Sequence, residues 1–412
     1  MKNSMFSLIL AIFFCSVDSL AQEQVGQRLS ETFVRQKLDD AIQQYRILIP
    51  QVPDGFFPST YRKDDDSLGL VESKSWVSGF YPGTLLYLYE YSGNDDLLAE
   101  ATKRLNLLEK EKNNTGTHDL GFMLYCSFGH ALRLTGSPDY ERVLLTGAES
   151  LASRYHPKAG CIRSWDTNAA TDQWQFPVII DNMMNLEMLN WASRFSGNQT
   201  YQVISERHAN TTLENHFRED NSSYHVIDYD TLSGKVRHKH THQGAHHESA
   251  WARGQAWGLY GYTMMYRDTQ KESYRQQAKK IADFILNHPN LPADKVPYWD
   301  LSIAPEANTP RDASAAAITA SALLELSGYV AEQEKETYEK AAEQMIFSLS
   351  QTPYSVETGA CGGFILDHST GHLPANREID VPLSYADYYY VEALTRYLRM
   401  LQGKPIIAYP KY

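Results

Sequence analysis

Two aspartates with unlike surroundings are the residues of this sequence best suited to chemistry. Asp181 directly follows the apolar residues 176–180, and Asp119 follows His118. Paired carboxyl groups in different environments are common equipment for general acid and base catalysis on glycosides, because their pKa values can be set apart. An apolar flank and a neighbouring carboxylate would both raise the pKa of Asp181. Each aspartate also stands at a predicted helix start, where a structural N-cap is the alternative role.

Residues 251–257 supply a second group of candidates. Arg253 can bind a carboxylate through two parallel hydrogen bonds, while Trp251 or Trp257 offers a flat face to a sugar ring. Arg253 and Trp257 are four residues apart on one helical face, so a structural cation–π pair is the alternative. The functional interpretation predicts a site for an anionic sugar.

Histidines are concentrated in residues 238–247, at His238, His240, His242, His246 and His247. Imidazole is a common metal ligand, but this spacing matches no familiar ligand helix and falls in a predicted loop. We therefore favour hydrogen bonds to ligand hydroxyls over a zinc site.

Three glycines mark junctions between helices. Gly93, Gly136 and Gly197 are each followed by Asn or Ser. Glycine suits the left-handed residue that ends a helix, and Asn or Ser suits the N-cap of the next one. Each junction is therefore predicted to be helix, tight turn, helix.

Helical periodicity divides the chain into about twelve segments that alternate in character. Amphipathic, charged segments alternate with segments rich in Gly, Ala, Met and aromatic residues. The predicted starts lie near Ser30, Ser78, Asp95, His118, Ser137, Asp181, Asn198, Ser249, Lys271, Asp312, Glu332 and Ser384. This alternation predicts an all-α fold, an (α/α)6 toroid of six inner and six outer helices. Residues 224–244 and 362–366 are predicted to form short β-hairpins near one rim.

Parallel inner helices would gather their N-termini, and with them the candidate residues, at one end of the toroid. The residues predicted at this rim are Trp76, His118, Asp119, Asp181, Trp251, Arg253, Gln255, Trp257, Asp312, Tyr385 and Asp387. Helix N-termini carry partial positive charge and free N–H groups. An anionic ligand is therefore expected there.

The overall charge restricts the partners. The sequence has 38 basic and 50 acidic residues and a formal net charge of −12, so its field repels nucleic acid and anionic lipid. We expect no nucleic-acid partner, and an anionic ligand must be captured locally. Cys126, Cys161 and Cys361 are too widely spaced for a metal site and are predicted to be buried thiols.

The N-terminus resembles a secretory signal peptide. Lys2 precedes an apolar run from Met5 to about Phe14, and a small residue, Ala21, precedes the predicted cleavage point. We expect residues 1–21 to be the signal peptide, residues 22–412 to form a single catalytic domain, and the mature protein to be periplasmic or secreted. The bulky Phe13 argues against lipidation at Cys15, and no later segment is apolar enough to span a membrane.

Five ordered sequence runs resemble glycoside hydrolase family 88, the unsaturated glucuronyl hydrolases. The runs are WVSGFYPG at 76–83, HDLGF at 118–122, DNMMNL at 181–186, WARGQAW at 251–257 and YADYYY at 385–390. The resemblance extends over essentially the whole mature chain, and the fold that it implies is the toroid predicted above.

The resemblance implies a particular chemistry, in which water adds across the C4=C5 double bond of the terminal unsaturated uronate left by polysaccharide lyases. Asp181 matches the general acid and base, and Asp119 matches a second essential aspartate that orients the sugar. The predicted substrate-binding residues are Trp76, His118, Trp165, His225, Gln243, Trp251, Arg253, Trp257, Ser369 and His372. No metal or organic cofactor is implied, and the partner is an unsaturated uronate-terminated oligosaccharide.

Residues 369–374 depart from the pattern of some relatives. Relatives that prefer sulfated disaccharides carry Ser and Lys in this region, whereas His372 and Pro374 stand here. The resemblance therefore does not imply a strong dependence on sulfate, and the polysaccharide stays open.

Two alternatives remain. An unsaturated rhamnogalacturonyl hydrolase would share the fold and chemistry, but the Trp251, Arg253, Trp257 cluster and the His118–Asp119 pair favour the glucuronyl hydrolases. A non-catalytic carbohydrate-binding protein would retain the aspartates only as caps, and the intact runs around both aspartates argue against it. The sequence contains no feature that sets an oligomeric state.

Overall fold

A computed structural model describes residues 28–166 and 172–408 of the chain. The predicted signal peptide and Cys15 lie outside the described residues. Within the described ranges, no helix is long and apolar enough to cross a membrane.

Helices form most of the molecule, and most of their starts fall within a few residues of the predicted ones; the helix predicted near His118 begins at Gly121 as a π-helix. The helices are α1 Glu31–Leu48, α2 Phe80–Ser92, α3 Asp95–Leu108, α4 His130–Thr135, α5 Pro138–Ala152, α6 Leu186–Ser196, α7 Gln199–Asn215, α8 Ala252–Thr269, α9 Glu272–Asn287, α10 Ala313–Leu326, α11 Glu332–Leu349 and α12 Ser384–Leu401. Short 3₁₀ helices, including Trp76–Gly79 and Ile180–Asn185, precede some of them.

Burial separates the helices into two rings. Every residue of α10 is buried, whereas α9 buries only one stripe, formed by Tyr274, Gln277, Ala278, Ile281, Ala282 and Ile285. Helix α12 packs against both α10 and α2, so the last inner helix meets the first and closes the ring. These observations confirm the predicted all-α (α/α)6 toroid.

The glycine junctions have the predicted geometry. Gly93, Gly136 and Gly197 have φ values of 67°, 67° and 75°, in the left-handed region that ends a helix. The side chains of Asn94 and Asn198 accept hydrogen bonds from the first turns of α3 and α7. Inner and outer helices can therefore reverse direction within a few residues.

The second inner helix begins as a π-helix, Gly121–Gly129, before continuing as α4. Gly121 lies against the backbone of Asn185, where an added Cβ would come within 2.4 Å of the Asn185 Cα atom. The amide of Phe122 donates a hydrogen bond to the Asn185 side chain at 3.0 Å. This contact joins the segments that follow Asp119 and Asp181.

Small antiparallel sheets lie in the connections between the helices. The strands are β1 Phe57–Arg62, β2 Ser67–Val71, β3 Tyr155–His156, β4 Cys161–Ile162, β5 Pro177–Ile179, β6 Val226–Tyr229, β7 Val236–His240, β8 Ser369–His372 and β9 Arg377–Val381. Strands β5, β6 and β7 form one sheet in that order, which confirms the hairpin predicted within residues 224–244.

The hairpin predicted for residues 362–366 is wrong. Cys361–Gly363 form a 3₁₀ turn, and the hairpin lies further along the chain, where β8 pairs with β9. The glycines at this point serve packing, because a Cβ on Gly363 would come within 2.6 Å of the Gln44 carbonyl oxygen in α1. Gly363 also has a φ of 92°, so both the close approach of α1 and the left-handed backbone require glycine here.

Candidate active site

Asp181 lies in the 3₁₀ helix Ile180–Asn185, directly after strand β5. Strand β5 pairs with β6, and the Ile180 amide donates to the His225 carbonyl at 3.0 Å. This pairing fixes Asp181 and His225 side by side. The aspartate is buried, with 7% of its surface exposed.

Burial raises the pKa of Asp181 to about 7, and the nearby Asp119 carboxylate acts in the same direction. Arg253 and Trp257 oppose the increase. Oδ2 of Asp181 has no hydrogen-bond partner among the described residues. A carboxyl group in this condition can hold a proton near neutral pH and deliver it to a ligand.

His225 faces the same carboxyl group, with its Nε2 atom 3.7 Å from Oδ2 of Asp181. Its Nδ1 atom accepts hydrogen bonds from the amides of His242 and Gln243, each at 3.1 Å, so the ring proton resides on Nε2. Burial and the neighbouring His242 lower the pKa of His225 well below its usual range. The ring is therefore neutral and presents an N–H donor beside Asp181.

Asp119 is held at the edge of the site by its own segment. The Thr117 hydroxyl donates to Oδ2 of Asp119 at 2.8 Å, and the Nε2 atom of His118 lies 3.3 Å from Oδ1. Burial lowers the pKa of His118, although Asp119 opposes the shift. Asp119 therefore faces the site beside a neutral imidazole.

Arg253 projects from the first turn of α8 and is buried. One Nη atom donates to Asp312 at 2.9 Å and to the Thr370 carbonyl at 2.5 Å, and the other donates to the Gly371 carbonyl at 2.6 Å. Only the Nε atom has no partner among the described residues. The guanidinium that the sequence assigned to a ligand carboxylate thus binds Asp312 and strand β8 through three of its N–H donors.

The three tryptophans around this arginine have different surroundings. The Arg253 guanidinium lies 4.5 Å from the ring centroid of Trp251 and 5.2 Å from that of Tyr385, so these two rings are its cation–π partners and the alternative pairing with Trp257 is wrong. Trp257 is fully buried and packs against Phe122 at 5.0 Å. Trp76 is half-buried and lies 5.5 Å from the same Phe122 ring. Trp76 is thus the more accessible of the two for stacking on a sugar.

The opposite wall of the site comes from loops. The half-buried Trp165 lies 6.1 Å from the His225 ring and 5.1 Å from the His242 ring. Gln243 donates to the Gly371 carbonyl at 3.0 Å, and the Nε2 atom of His372 lies 2.9 Å from the His242 carbonyl. These bonds tie the segment after β7 to strand β8. Ser369, at the start of β8, is fully buried and its hydroxyl has no partner within the described ranges.

Two aspartates expected at the rim are engaged elsewhere. Asp312 caps α10, accepting from the amides of Ser314 and Ala315, and binds Arg253. The carboxylate of Asp387 accepts from the amides of Ile365 and Leu366 at about 3 Å, away from Asp181. Asp312 therefore has the N-cap role predicted as the alternative for helix-start aspartates, whereas Asp387 binds amides outside its own helix.

One wall residue, Trp174, was missed from the sequence. His242 and Trp174 lie 5.8 Å apart, and Trp174 lies 5.5 Å from Trp165. Trp174 stands in the same short segment as Trp165, a few residues before the apolar run that leads to Asp181, and this position was the available signal. His242 was noticed only as part of the histidine cluster.

Within the described ranges, no group of three or more His, Cys, Asp or Glu side chains is placed to hold a metal ion. A separate cavity between the inner helices is lined by residues that include Glu187, Arg267 and Arg396. Arg267 pairs with Glu187 and Glu325, and Arg396 pairs with Glu325 and Glu392. These charges satisfy one another, so the cavity is no rival to the site around Asp181.

A toroid with a protonatable carboxyl group among tryptophans, an arginine and a second carboxylate defines an enzyme acting on carbohydrates. The Glycosyl Hydrolase Family 88 model matches residues 57–402, and the chain belongs to this family. The resemblance stated from the sequence runs is thereby confirmed.

The similar proteins span nearly the whole chain. An unsaturated glucuronyl hydrolase from Formosa agariphila is 43% identical over 94% of this chain and 96% of its own length. An unsaturated chondroitin disaccharide hydrolase from Streptococcus pneumoniae is 31% identical over 94% of this chain and 95% of its own. A crystal structure of an unsaturated glucuronyl hydrolase specific for heparin is 48% identical, with a TM-score of 0.87 over 90% of this chain and 99% of that one.

Proposed function

We propose that Asp181 is the general acid and base that hydrates the C4=C5 double bond of a terminal unsaturated uronate. The enzyme class itself follows from the family, as a glycoside hydrolase acting on unsaturated uronides. The observation that carries the residue assignment is the buried Asp181, with its pKa raised to about 7 and its Oδ2 atom unpaired beside the His225 N–H. A single group of this kind can donate a proton and then accept one.

One carboxyl group, that of Asp181, carries out both proton transfers. Protonated Asp181 gives its proton to C4, and positive charge develops at C5, where the ring oxygen stabilises it. Water adds to C5 and returns a proton to the Asp181 carboxylate, which regenerates the enzyme. The product carries a hydroxyl group and the ring oxygen on C5, so it is a hemiketal. The ring then opens to a C5 ketone, and the hemiacetal left at C1 expels the aglycone.

The remaining residues bind and orient the uronate. The neutral His225 donates from Nε2 to a ligand oxygen near Asp181, and Asp119 accepts from sugar hydroxyls. Trp76 and Trp165 provide flat faces at the opening. Arg253 anchors strand β8 through three of its five N–H donors, and its Nε–H and the second N–H of the Nη atom that binds Gly371 are left for a ligand carboxylate.

Glycosaminoglycan-type oligosaccharides are the proposed substrate class. The relatives named as unsaturated glucuronyl and chondroitin disaccharide hydrolases, together with the structure specific for heparin, support this choice. Because that structure is 48% identical to the chain, heparin-derived disaccharides are the first substrates to test.

We also propose that residues 1–21 are a signal peptide, that residues 22–412 form one catalytic domain, and that the enzyme is periplasmic or secreted. The support is the N-terminal pattern of Lys2, an apolar run and Ala21. N-terminal sequencing of the exported protein tests the proposal, which predicts a mature chain beginning at Gln22.

The test of the chemistry compares matched substrates that differ only at the double bond. Unsaturated disaccharides from heparin, chondroitin and hyaluronan, and a pectin fragment, are incubated with the enzyme beside their saturated counterparts, and released sugar is quantified. Hydration requires cleavage of the unsaturated member of at least one glycosaminoglycan pair and no cleavage of its saturated partner. Equal cleavage of both would place the attack at the anomeric carbon, and cleavage of the pectin fragment alone would indicate the rhamnogalacturonyl alternative.

A further inference from the structure

Three histidine side chains form a stack on the edge strand β7 and the loop that follows it. The rings of His238 and His240 are 5.1 Å apart with planes 9° apart, and the rings of His240 and His247 are 4.2 Å apart with planes 17° apart. His238 and His247 are exposed, and His240 is half-buried between them. We refer to His238, His240 and His247 as the histidine stack.

Hydrogen bonds fix the tautomers of two of these rings. The Trp174 indole N–H donates to Nδ1 of His240 at 3.0 Å, and the Thr241 amide donates to Nδ1 of His247 at 3.2 Å. Each Nδ1 is therefore an acceptor, and the proton of each neutral ring is on Nε2. Among the described residues, neither Nε2–H has an acceptor, so both remain available to a ligand.

The histidine stack is continuous with the active site. Ring centroids of Trp174 and His240 are 6.4 Å apart, those of Trp174 and His242 are 5.8 Å apart, and those of His242 and His225 are 6.4 Å apart. A wall of flat rings thus extends from the residue beside Asp181 to the protein surface. A sugar chain leaving the site along this wall reaches the stack on its aglycone side.

The free N–H donors of the stack favour an anion over a neutral group. Partial burial, followed by the neighbouring His247 and His238, lowers the pKa of His240, while Asp228 opposes the shift. The Asp228 carboxylate is itself paired with Arg237, so it does not leave a net negative charge beside the rings. An anionic oxygen accepts a stronger hydrogen bond from an N–H donor than a neutral oxygen does.

We propose that the histidine stack is a subsite for an anionic group on an inner sugar of a longer oligosaccharide. The anion is the carboxylate of a second uronate or a sulfate ester, which offer the same acceptor oxygens. The proposal rests on the proposed function, because the ligand must enter with its unsaturated uronate at Asp181. The proposal predicts that the enzyme prefers longer, charged substrates and that residues outside the catalytic centre determine this preference.

The test uses three tetrasaccharides with the same unsaturated terminal uronate. One has a neutral aglycone, one carries an inner carboxylate, and one carries an inner carboxylate and a sulfate. His247→Phe keeps a flat ring against His240 and removes the Nε2–H donor. His246→Phe is the matched control, because His246 is an exposed histidine of the same loop outside the stack. For each variant, kcat/KM is divided by the wild-type value on the same substrate.

We expect His247→Phe to lower this ratio roughly ten-fold more on a charged tetrasaccharide than on the neutral one, as for loss of one hydrogen bond to a charged group. If the ratio for His247→Phe falls fully on the tetrasaccharide that carries only an inner carboxylate, the subsite binds the uronate. If the ratio falls only on the sulfated tetrasaccharide, the subsite binds the sulfate. Equal ratios on all three substrates, or the same deficit in His246→Phe, would overturn the subsite. Failure of the wild type on every unsaturated substrate would instead overturn the proposed function.

Discussion

The Nε2 atom of His225 lies 3.7 Å from Oδ2 of Asp181, and neither atom has a hydrogen-bond partner within the described part of the chain. The separation is too long for a direct hydrogen bond, although both atoms are buried. A donor and a protonatable acceptor therefore stand side by side with their hydrogen-bonding capacity available to a ligand. This relationship gives the site its acid–base character.

The pH dependence of the reaction should follow Asp181. The first proton transfer requires the protonated carboxyl group, whose pKa burial raises to about 7. We expect kcat/KM to fall about ten-fold per pH unit above that pKa. Initial rates on an unsaturated disaccharide from pH 5 to 9 measure the profile. A flat profile up to pH 9 would contradict the assignment of Asp181 as the acid.

Replacing Asp119 should move this profile. The Asp119 carboxylate raises the pKa of Asp181, so Asp119→Asn should shift the descending limb of kcat/KM to lower pH, in addition to weakening substrate binding. Asp166→Asn is a control outside the acid–base centre, since Asp166 pairs with Arg154 and is exposed. If the descending limb of the pH profile does not move in Asp119→Asn, the Asp119 carboxylate does not raise the pKa of Asp181, and this prediction is contradicted.

Arg253 should contribute to both binding and stability. Lys in its place is a single point donor and cannot hold Asp312 and the carbonyls of strand β8 together. We expect Arg253→Lys to raise KM and to lower the free energy of unfolding by about 3 kcal/mol, a cost typical of disrupted buried ion pairs. Thermal melts and steady-state kinetics provide the two measurements.

Arg396→Lys is the matched control for that change. Arg396 is also buried and forked, onto Glu325 and the Ser321 carbonyl, but it lies in α12 away from Asp181. It should lose comparable stability with KM unchanged. An equal rise of KM in both variants would mean that general destabilisation, rather than misplacement of β8, reduces binding.

The raised pKa of Asp181 also has a consequence for stability. An unfolded Asp has a pKa of about 3.9, so the native state holds this proton more tightly. The associated stability is complete below that value and is lost as pH rises through about 7. Asp181→Asn is neutral throughout, so its melting temperature relative to wild type should increase from pH 5 to pH 8.

The expected gain at pH 8 is on the order of a few kcal/mol, because each pKa unit is worth about 1.4 kcal/mol. Other buried acids, such as Asp387, titrate in both proteins and cancel in the difference. A difference in melting temperature that does not change with pH would indicate that Asp181 is already ionised in the folded enzyme at pH 5.

Local signals made much of the fold predictable. Gly93, Gly136 and Gly197 are required by left-handed helix ends, and the alternation of apolar and amphipathic segments separates the two rings. The π-helix Gly121–Gly129 was not predictable, because it depends on the tertiary contact with Asn185. Gly362 and Gly363 form a 3₁₀ turn rather than the predicted hairpin, and both the positive φ of Gly363 and its packing against α1 require glycine there.

The site was predictable in composition rather than in detail. Asp181, Asp119 and Arg253 stand at helix starts of one rim, and the sequence indicates as much. Whether a helix-start aspartate faces the opening or binds backbone amides depends on neighbours far along the chain, as the Ile365 and Leu366 amides at Asp387 illustrate. The Arg253 guanidinium likewise binds the carbonyls of strand β8, which is more than a hundred residues away in the sequence.

The most direct test of the central claim is the turnover of Asp181→Asn on an unsaturated glycosaminoglycan disaccharide, followed through the ultraviolet absorbance of the double bond. The amide keeps the size of the side chain but cannot deliver a proton to C4. We predict that kcat falls by about 10²–10⁴-fold, the contribution typical of a general acid–base group, while the variant stays folded. Turnover within a few-fold of wild type would contradict the account and assign the proton transfer to another residue.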